Sequence, residues 1–502
     1  MNHSPTSIAA GQALTLALTG CGLARPPAMP DAPVPARWHA PLPPTPGVAT
    51  ASLPALTDWW RQLDDPVLDR LIASAQSASP TIASAAARIA EARATRVAAG
   101  SALFPSLDGA LSGTRSNSGT GVGASPGGGF TSVPITTLQA NVQSAWEIDL
   151  FGRLRADRDA AQARLDNADA KWHDARVSVA AETANAYFAE RACAQQLAVA
   201  TSDTRSRSET ARLSDLSARA GFTAPADAAL ARASASDASA KLTQQRAQCD
   251  VQRKALVALT GLDEDTLVQQ LATAPVQRAL PAMQPVASVP AALLAQRPDV
   301  YASELGVAAA SADVGSADAE SYPRLTLSGS IGRQQYRIDG ARQTLDSWSI
   351  GPLTLTVPLF DGGARAANTD AAKARYAEAV SAYRASVRQA VREVEEALVN
   401  LQSTDARAGD ADVAVRNYQI AFDAAQARYQ SGLASLVELE DVRRTLFAAQ
   451  TARVALQRER ADAWVALYRS TGGGWVRPGA PGTAVTTTSS SLTSTPASAP
   501  TP

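Results

Sequence analysis

The sequence predicts a mostly α-helical protein with a small membrane β-barrel, built from two copies of one structural unit. Three observations support this fold class: landmarks that recur in the same order, two helical segments of unusual length without proline, and two short alternating segments in each copy. Each copy is expected to run helix, strand, loop, strand, long helix, tight turn, long helix. One protomer would therefore contribute two long helical hairpins and four strands.

The composition of the 502-residue chain fits thin helices better than compact globular domains. Hydrophobic residues make up 45% of the chain, but many are alanines, and aromatic residues contribute only 5%. Alanine favours helix and lets helices approach closely, yet it does not fill a thick core. The formal net charge of −1 gives no basic footprint, so no nucleic-acid partner is expected. With three histidines and no nucleophile-base arrangement, we expect neither catalysis nor a metal or other cofactor.

Residues 1–20 resemble a lipoprotein signal peptide. A short, weakly apolar stretch at residues 8–18 leads into Thr19-Gly20-Cys21. Small residues before a cysteine are typical of a lipobox, which implies cleavage before Cys21 and attachment of N-palmitoyl and S-diacylglycerol groups. Residues 1–12 depart from the usual pattern because they contain no Lys or Arg, and a chance Gly-Cys pair is the alternative. Gly22 stands where Asp would favour retention in the inner membrane, so a lipid anchor in the outer membrane is expected.

Two repeats are expected between segments that lie outside the folded units. Residues 21–57 are rich in Pro and Ala, which is typical of an extended arm. Residues 477–502 consist mainly of Thr, Ser, Ala and Pro, which predicts a disordered tail. Between them we place a first repeat at 58–270, a linker at 271–290 and a second repeat at 291–476.

Three landmarks define the duplication. An alanine-rich helical stretch stops at an aromatic-Pro pair in each repeat, because proline ends a helix and disfavours helix at the residue before it. An alternating segment then ends at a Leu-Phe pair close to glycine, and a glycine turn later separates two long helical stretches. The three matched pairs are Phe104-Pro105 with Tyr322-Pro323, Leu150-Phe151-Gly152 with Leu359-Phe360-Asp361-Gly362, and Gly221 with Gly432.

The alternating segments predict four strands, at about residues 106–116, 135–148, 324–334 and 348–358. Aromatic residues near the strand ends fit the girdles of a membrane barrel. No run of about 18 apolar residues occurs, so a membrane-spanning part is expected to consist of strands. Four strands cannot close a barrel, and an open edge in lipid leaves backbone groups unpaired. The chain is therefore expected to share one barrel with copies of itself.

Two helical hairpins are predicted at residues 152–260 and 364–470. Proline is absent from residues 153–218 and 364–430, and helices of this length extend for roughly 100 Å. Helices this long fit a structure that crosses the periplasm. Apolar residues in the second segment recur mostly at spacings of four and three, which indicates a coiled-coil seam; they are Tyr376, Val380, Tyr383, Val387, Val391, Val394, Leu398 and Leu401.

Several short motifs occur in order within the duplicated frame: Asp58-Trp59-Trp60, Asp65-Pro66, Arg297-Pro298-Asp299, Pro358-Leu359-Phe360-Asp361-Gly362-Gly363 and Gly472-Gly473-Gly474-Trp475. With these motifs, the chain over about residues 56–476 resembles the NodT branch of the TolC-like outer-membrane factors. The resemblance implies a homotrimer with one shared twelve-stranded barrel and a helical tunnel through the periplasm. It also implies docking to a periplasmic adaptor and an inner-membrane pump, commonly of the resistance-nodulation-division class. The implied function is passive conduction of drugs or other small toxic compounds through the outer membrane.

The resemblance further implies a functional site at the periplasmic tips of the hairpins. The turns at Gly221 and Gly432 are expected to meet the adaptor, and Arg428 and Asp441 to belong to the closed aperture. A threefold axis would place Asp441, together with Glu438, in a ring of carboxylates that favours cations. The alternative is that these charges form a solvated helix face, where ion pairs contribute little to stability.

Cys193 and Cys249 lie at equal distances from the turning Gly221. Residues equidistant from the turn of an antiparallel hairpin lie side by side, and the periplasm is oxidising, so a disulfide is expected. Two buried free thiols are the alternative.

Two other functions are compatible with the long helices. The exit duct of a type I protein secretion system uses the same architecture, although the lipobox, the tryptophan pair and the Arg-Pro-Asp motif favour the efflux branch. A periplasmic coiled-coil scaffold without a pore is the alternative from a different class, and the two strand pairs argue against it.

Overall fold

A computed structural model describes residues 24–33, 38, 40, 60, 63–118, 133–273, 294, 297–338 and 340–478 of the chain. The predicted lipidation site at Cys21, most of the linker and most of the tail lie outside these residues.

The described residues reproduce the predicted duplication. The first repeat contains α1 Pro66–Ala78, α2 Pro80–Ser101, β1 Ser106–Ser118, β2 Val133–Ile148, α3 Arg153–Arg219, α4 Pro225–Thr260 and α5 Glu264–Thr273. The second repeat contains α6 Pro298–Ala319, β3 Arg324–Ile338, β4 Ala341–Thr356, α7 Ala364–Gln430 and α8 Leu436–Ser470. Helix α2 of the first repeat corresponds to α6 of the second, β1 and β2 correspond to β3 and β4, and the hairpin α3–α4 corresponds to α7–α8.

Two very long helices dominate the fold. Helices α3 and α7 have 67 residues each, which corresponds to roughly 100 Å. None of the helices within the described ranges is both long and apolar enough to cross a bilayer. The seam predicted on α7 is present, since Val387, Val394 and Leu398 are buried in one cluster that also includes Leu294 and Val300.

Glycine closes each hairpin in the same way. Gly221 and Gly432 have φ values of 80° and 77°, a region that L-residues with a side chain rarely adopt. The amide of the residue after each glycine donates to a carbonyl five residues earlier, from Phe222 to Ser217 and from Leu433 to Arg428. This pattern satisfies carbonyls at the helix end and turns the chain sharply.

The four strands form one antiparallel sheet in the order β1-β2-β3-β4. Strands β3 and β4 are longer than predicted: β3 continues to Ile338 and β4 already begins at Ala341. The polar segment that was predicted as a loop is in fact paired strand, because its backbone continues the ladder and Arg333 forms a 2.6 Å ion pair with Asp346 on the opposite strand. The alternation of apolar residues could not predict these parts of β3 and β4, because their side chains are mostly polar.

The two faces of this sheet differ in chemistry. Residues directly paired across strands point to the same face, so the register assigns each side chain to one side. One face carries mostly Ser, Thr, Asn and Gln. The other, called here the apolar face, carries Leu107, Leu111, Leu138, Val142, Trp146, Ile148, Leu325, Leu327, Ile331, Trp348, Ile350, Leu353 and Leu355.

Polar contacts between side chains also join the helices to one another. Asp65 caps α1 by accepting from the Val67 amide at 3.1 Å, and it also accepts from the Tyr187 hydroxyl at 2.6 Å, which ties α1 to α3. The Asp65-Pro66 motif is therefore a helix start that is fixed to the long hairpin.

The Arg297-Pro298-Asp299 motif forms a second connection. The buried Arg297 donates to Asp299 and Glu393 at 2.7 Å each and to the Ser470 carbonyl at 3.0 Å, so it joins α6, α7 and α8. Burial alone would lower the pKa of Arg297, but hydrogen bonds to the two carboxylates outweigh it and raise the pKa above its ordinary value. The guanidinium therefore stays charged inside the fold.

The predicted pairing of Cys193 with Cys249 is present. A disulfide joins α3 to α4, with Cα atoms 5.5 Å apart, and both residues are buried. The close Cα separation places the two helix backbones side by side at this level, in agreement with their equal distance from Gly221.

We expect removal of this disulfide to lower the free energy of unfolding by about 2–4 kcal/mol, because the bond restricts the unfolded chain across a separation of 56 residues. Guanidinium unfolding of the Cys193→Ala/Cys249→Ala variant measures the effect. The single variant Cys249→Ala serves as control and should lose nearly as much as the double variant. Independent, additive losses for the two single variants would show that the thiols are unpaired.

Candidate functional site

Arg428 and Glu438 clamp the turn at the tip of the second hairpin. Arg428 Nη1 lies 2.7 Å from Glu438 Oε1, and both side chains are about half exposed. The Glu438 amide donates to the Ser435 Oγ at 3.1 Å, and this N-cap contact begins α8. The ion pair therefore bridges the last turn of α7 and the first turn of α8 across Gly432.

Asp441 lies on the same face of α8 as Glu438, because residues three apart are neighbours on a helix. Its side chain is 63% exposed and forms an ion pair with Arg444, one turn further along the same helix. Arg444, rather than Arg428, is thus the ion-pair partner of Asp441 within the protomer. The structure brings two of the three predicted gate residues together and places the third beside them on one exposed face.

The opposite face of α8 holds a network that sequence reasoning missed. Glu440 accepts from Arg207 at 2.5 Å and from Ser234 at 2.7 Å, and its other carboxylate oxygen contacts Arg443. Arg443 in turn donates to Thr210 Oγ1 at 2.9 Å. These contacts connect α8 of the second hairpin to α3 and α4 of the first.

Arg443 is the most deeply buried charge of this network. Its side chain is 3% exposed, and its guanidinium lies 5.5 Å from the centre of the Phe422 ring. Burial lowers the pKa of Arg443, and the negative charge of Glu440 acts in the opposite direction. One signal in the sequence points to it: Arg443 interrupts the apolar stripe Leu436, Leu439, Leu446, where a hydrophobic residue is expected.

Two further contacts complete the connection near the tips. The hydroxyls of Ser214 and Tyr429 are 2.9 Å apart, and Leu436 packs against Ala211 and Ala231. We call the set Arg207, Thr210, Ser214, Ser234, Tyr429, Glu440 and Arg443 the inter-hairpin joint. Its partners are separated by more than 200 residues in the chain, so local sequence patterns do not reveal their pairing.

The site therefore has a fixed face and a free face. The inter-hairpin joint holds one side of α8 against the first hairpin, while Glu438 and Asp441 project on the other side with exposed arginine partners. Exposed ion pairs of this kind contribute little to the free energy of folding. Either carboxylate can therefore pair with a different cation at little energetic cost. Over the part of the chain that the structure covers, no cluster of His, Cys, Asp and Glu could hold a metal ion.

We expect Glu440→Gln to loosen the tip of the second hairpin, because it leaves the buried Arg443 without its counter-charge. The free energy of local opening at the tip should fall by about 1–3 kcal/mol. This is less than for a fully enclosed pair, because the side chains of Arg207 and Glu440 are 14% and 15% exposed. Hydrogen–deuterium exchange over residues 436–446 measures it. The control Glu438→Gln removes an exposed carboxylate of the same helix. It should change the free energy of local opening, as measured by exchange, by less than about 0.5 kcal/mol. Equal effects of the two variants would contradict the assigned role of the joint.

Comparison with known proteins identifies the relatives of this architecture. The family model described as "Outer membrane efflux protein" matches residues 71–262 and 289–473, well over half of the chain. The pyoverdine export outer membrane protein OpmQ of Pseudomonas putida is 33% identical over 470 residues, covering 92% of this chain and 96% of that protein. Nodulation protein T of Rhizobium leguminosarum bv. viciae is 28% identical over 473 residues, covering 93% and 94%.

A solved structure supports the same conclusion. The outer-membrane channel OprN superposes with a TM-score of 0.75 at 30% identity, covering 89% of this chain and 99% of that one. The predicted family, fold class, outer-membrane location and efflux function are thereby confirmed, and the family consists of channels rather than enzymes. The chain belongs to the outer membrane efflux protein family.

Proposed function

We propose that three copies of this chain form one channel that conducts small toxic compounds passively across the outer membrane. The observation that carries this proposal is a four-stranded sheet whose outer strands, β1 and β4, each pair on one side only among the residues that the structure describes. Each backbone group left unpaired in lipid costs several kcal/mol. Pairing β4 of one copy with β1 of the next removes both edges, and three copies give twelve strands.

The two faces of the sheet support this closure. In a closed barrel the apolar face would meet lipid and the Ser, Thr, Asn and Gln side chains would line a water-filled lumen. Both long hairpins leave from the same end of the sheet, after Ile148 and after Thr356. The lumen therefore continues into a space between helices that extends for roughly 100 Å.

At the far end of the hairpins, we propose that Asp441 and Glu438 line the narrowest aperture. Threefold symmetry repeats their shared exposed face around the axis and creates a ring of carboxylates. Arg428 and Arg444 balance these charges within each protomer, and both pairs are exposed enough to exchange partners. This arrangement favours cations and allows the aperture to widen without disturbing the buried joint.

The hairpin tips are the proposed contact surface for a periplasmic adaptor, which connects the channel to an inner-membrane pump of the resistance-nodulation-division class. Each turning glycine is followed by a large apolar residue, and Phe222 and Leu433 are 86% and 72% exposed. Apolar side chains held out by a tight turn are suited to a protein partner. N-palmitoyl and S-diacylglycerol groups on Cys21 would additionally anchor the chain in the membrane.

The cargo class follows from the relatives. The match to a pyoverdine export protein over 96% of its length favours a small organic compound over a secreted protein. The tripartite efflux assembly is therefore preferred to a type I protein secretion duct.

We expect Asp441→Asn to raise single-channel conductance by roughly twofold or more, because loss of the Asp441–Arg444 ion pair lets the aperture widen. Cation selectivity should weaken, because one negative charge per protomer is removed from the ring. Conductance of the full chain in a planar bilayer measures both properties. Glu459→Gln is the matched control, since Glu459 is an exposed carboxylate on α8 that pairs with Arg407 far from the tip. Unchanged conductance in Asp441→Asn would place the gate elsewhere, and a folded assembly without pores would contradict the channel itself.

A further inference from the structure

Three arginines occupy one row of the sheet near its loop end. The register pairs Arg115 of β1 with Thr136 of β2, Thr136 with Arg337 of β3, and Arg337 with Arg342 of β4. Directly paired residues point to the same face, and here that face is the apolar one. We call Arg115, Arg337 and Arg342 the arginine row.

The arginine row borders the apolar face at the end away from the helices. Between the row and the helices, the same face presents exposed side chains that include Ile331, Trp348 and Leu353. The long helices leave from the opposite end of the strands, so the row lies at the end of the sheet farthest from the periplasmic hairpins. On β1 and β2, Leu111 and Leu138 lie in the two rows next to Arg115. On β3 and β4, the polar rows of Gln335 with Thr344 and of Arg333 with Asp346 separate the arginines from Ile331 and Trp348.

The charges of this row are uncompensated within the described parts of the protomer. No carboxylate there forms an ion pair with Arg115, Arg337 or Arg342, and Arg337 makes a long 3.5 Å hydrogen bond to Gln335. Arg337 and Arg342 stand directly opposite each other, an arrangement of like charges that destabilises a strand pair. By contrast, Arg333, two rows nearer the helices, is neutralised by Asp346 at 2.6 Å. Among the described residues no contact accounts for the row, whereas a bound anion would.

We propose that the arginine row binds the phosphate groups of lipids in the outer leaflet of the membrane. The inference rests on the proposed function, because it requires the apolar face to meet lipid and the loop end to face outwards. Guanidinium groups bind phosphate oxygens through paired, charge-assisted hydrogen bonds. Leu138 and Leu111, in the two rows next to Arg115, contact the acyl chains of the same lipid, and a free phosphate ion makes no such contact.

The proposed closure of the barrel strengthens this site. Arg342 lies on the edge strand β4 and Arg115 on the edge strand β1, so pairing between copies brings Arg342 of one protomer towards Arg115 of the next. Positive charge is then concentrated at each seam between protomers. A lipid phosphate at the seam relieves that repulsion and contacts both copies, so the lipid also stabilises the assembly.

The test is native mass spectrometry of the full chain in detergent, titrated with lipid A that carries two phosphates. The variant Arg115→Gln/Arg337→Gln/Arg342→Gln should bind this lipid roughly tenfold more weakly or worse than the wild type. The control Arg324→Gln removes an arginine from the opposite face of the same sheet and should bind as the wild type does. Replacing all three arginines by lysine keeps the charge and should retain most of the binding. Should the triple glutamine variant fail to assemble, Arg337→Gln alone should weaken binding roughly threefold.

Equal binding by the glutamine variant and the wild type would overturn the inference, and so would equal binding of lipid A without phosphates. Displacement of the lipid by inorganic phosphate at comparable concentration would show a simple anion site and would also overturn it. The outcome is separable from that of the proposed function. A wild-type protein that conducts in bilayers but binds no phosphorylated lipid refutes the lipid site and leaves the channel intact.

Discussion

The architecture depends on one constraint, the pairing of backbone hydrogen-bonding groups at the edges of the sheet. Within the described ranges, the outer sides of β1 and β4 have no partner strand, and lipid offers no water to replace one. The proposed closure with further copies answers this constraint and would create a polar lumen, an apolar exterior and a symmetric ring of helical hairpins. In that assembly the large apolar side chains that the strands expose would face lipid.

The long helices must stay packed together over roughly 100 Å, although their alanine side chains bury little volume. Alanine-rich helices pack closely but bury little volume, so the fold uses discrete connections along the hairpins. Arg297 joins α6, α7 and α8, the disulfide joins α3 to α4, and the inter-hairpin joint fixes α8 near the tip. Because the buried side of α8 is fixed, the proposed opening of the aperture would act through its exposed face, where Glu438 and Asp441 lie.

Much of this fold was predictable because its boundaries are set by residues with strong backbone preferences. Aromatic-Pro pairs and glycine turns marked the helix ends, and the equal distance of Cys193 and Cys249 from Gly221 predicted their pairing. Two features escaped prediction. The strand at residues 341–347 is polar and lacks an apolar alternation, so its ladder depends on pairing with β3. The contact of Glu440 with Arg207 depends on how two hairpins dock, and only the charged Arg443 in an apolar stripe hinted at it.

The most direct test of this account is hydrogen–deuterium exchange of the edge strands in the full chain purified in detergent. In an isolated sheet, the amides of β1 and β4 that point away from their single partner exchange quickly, whereas those of β2 and β3 are protected on both sides. The account predicts that the outward amides of β1 and β4 exchange as slowly as those of β2 and β3, because neighbouring copies pair with them. Fast exchange of these outward amides in a folded protein would contradict it, since the edges would then be open.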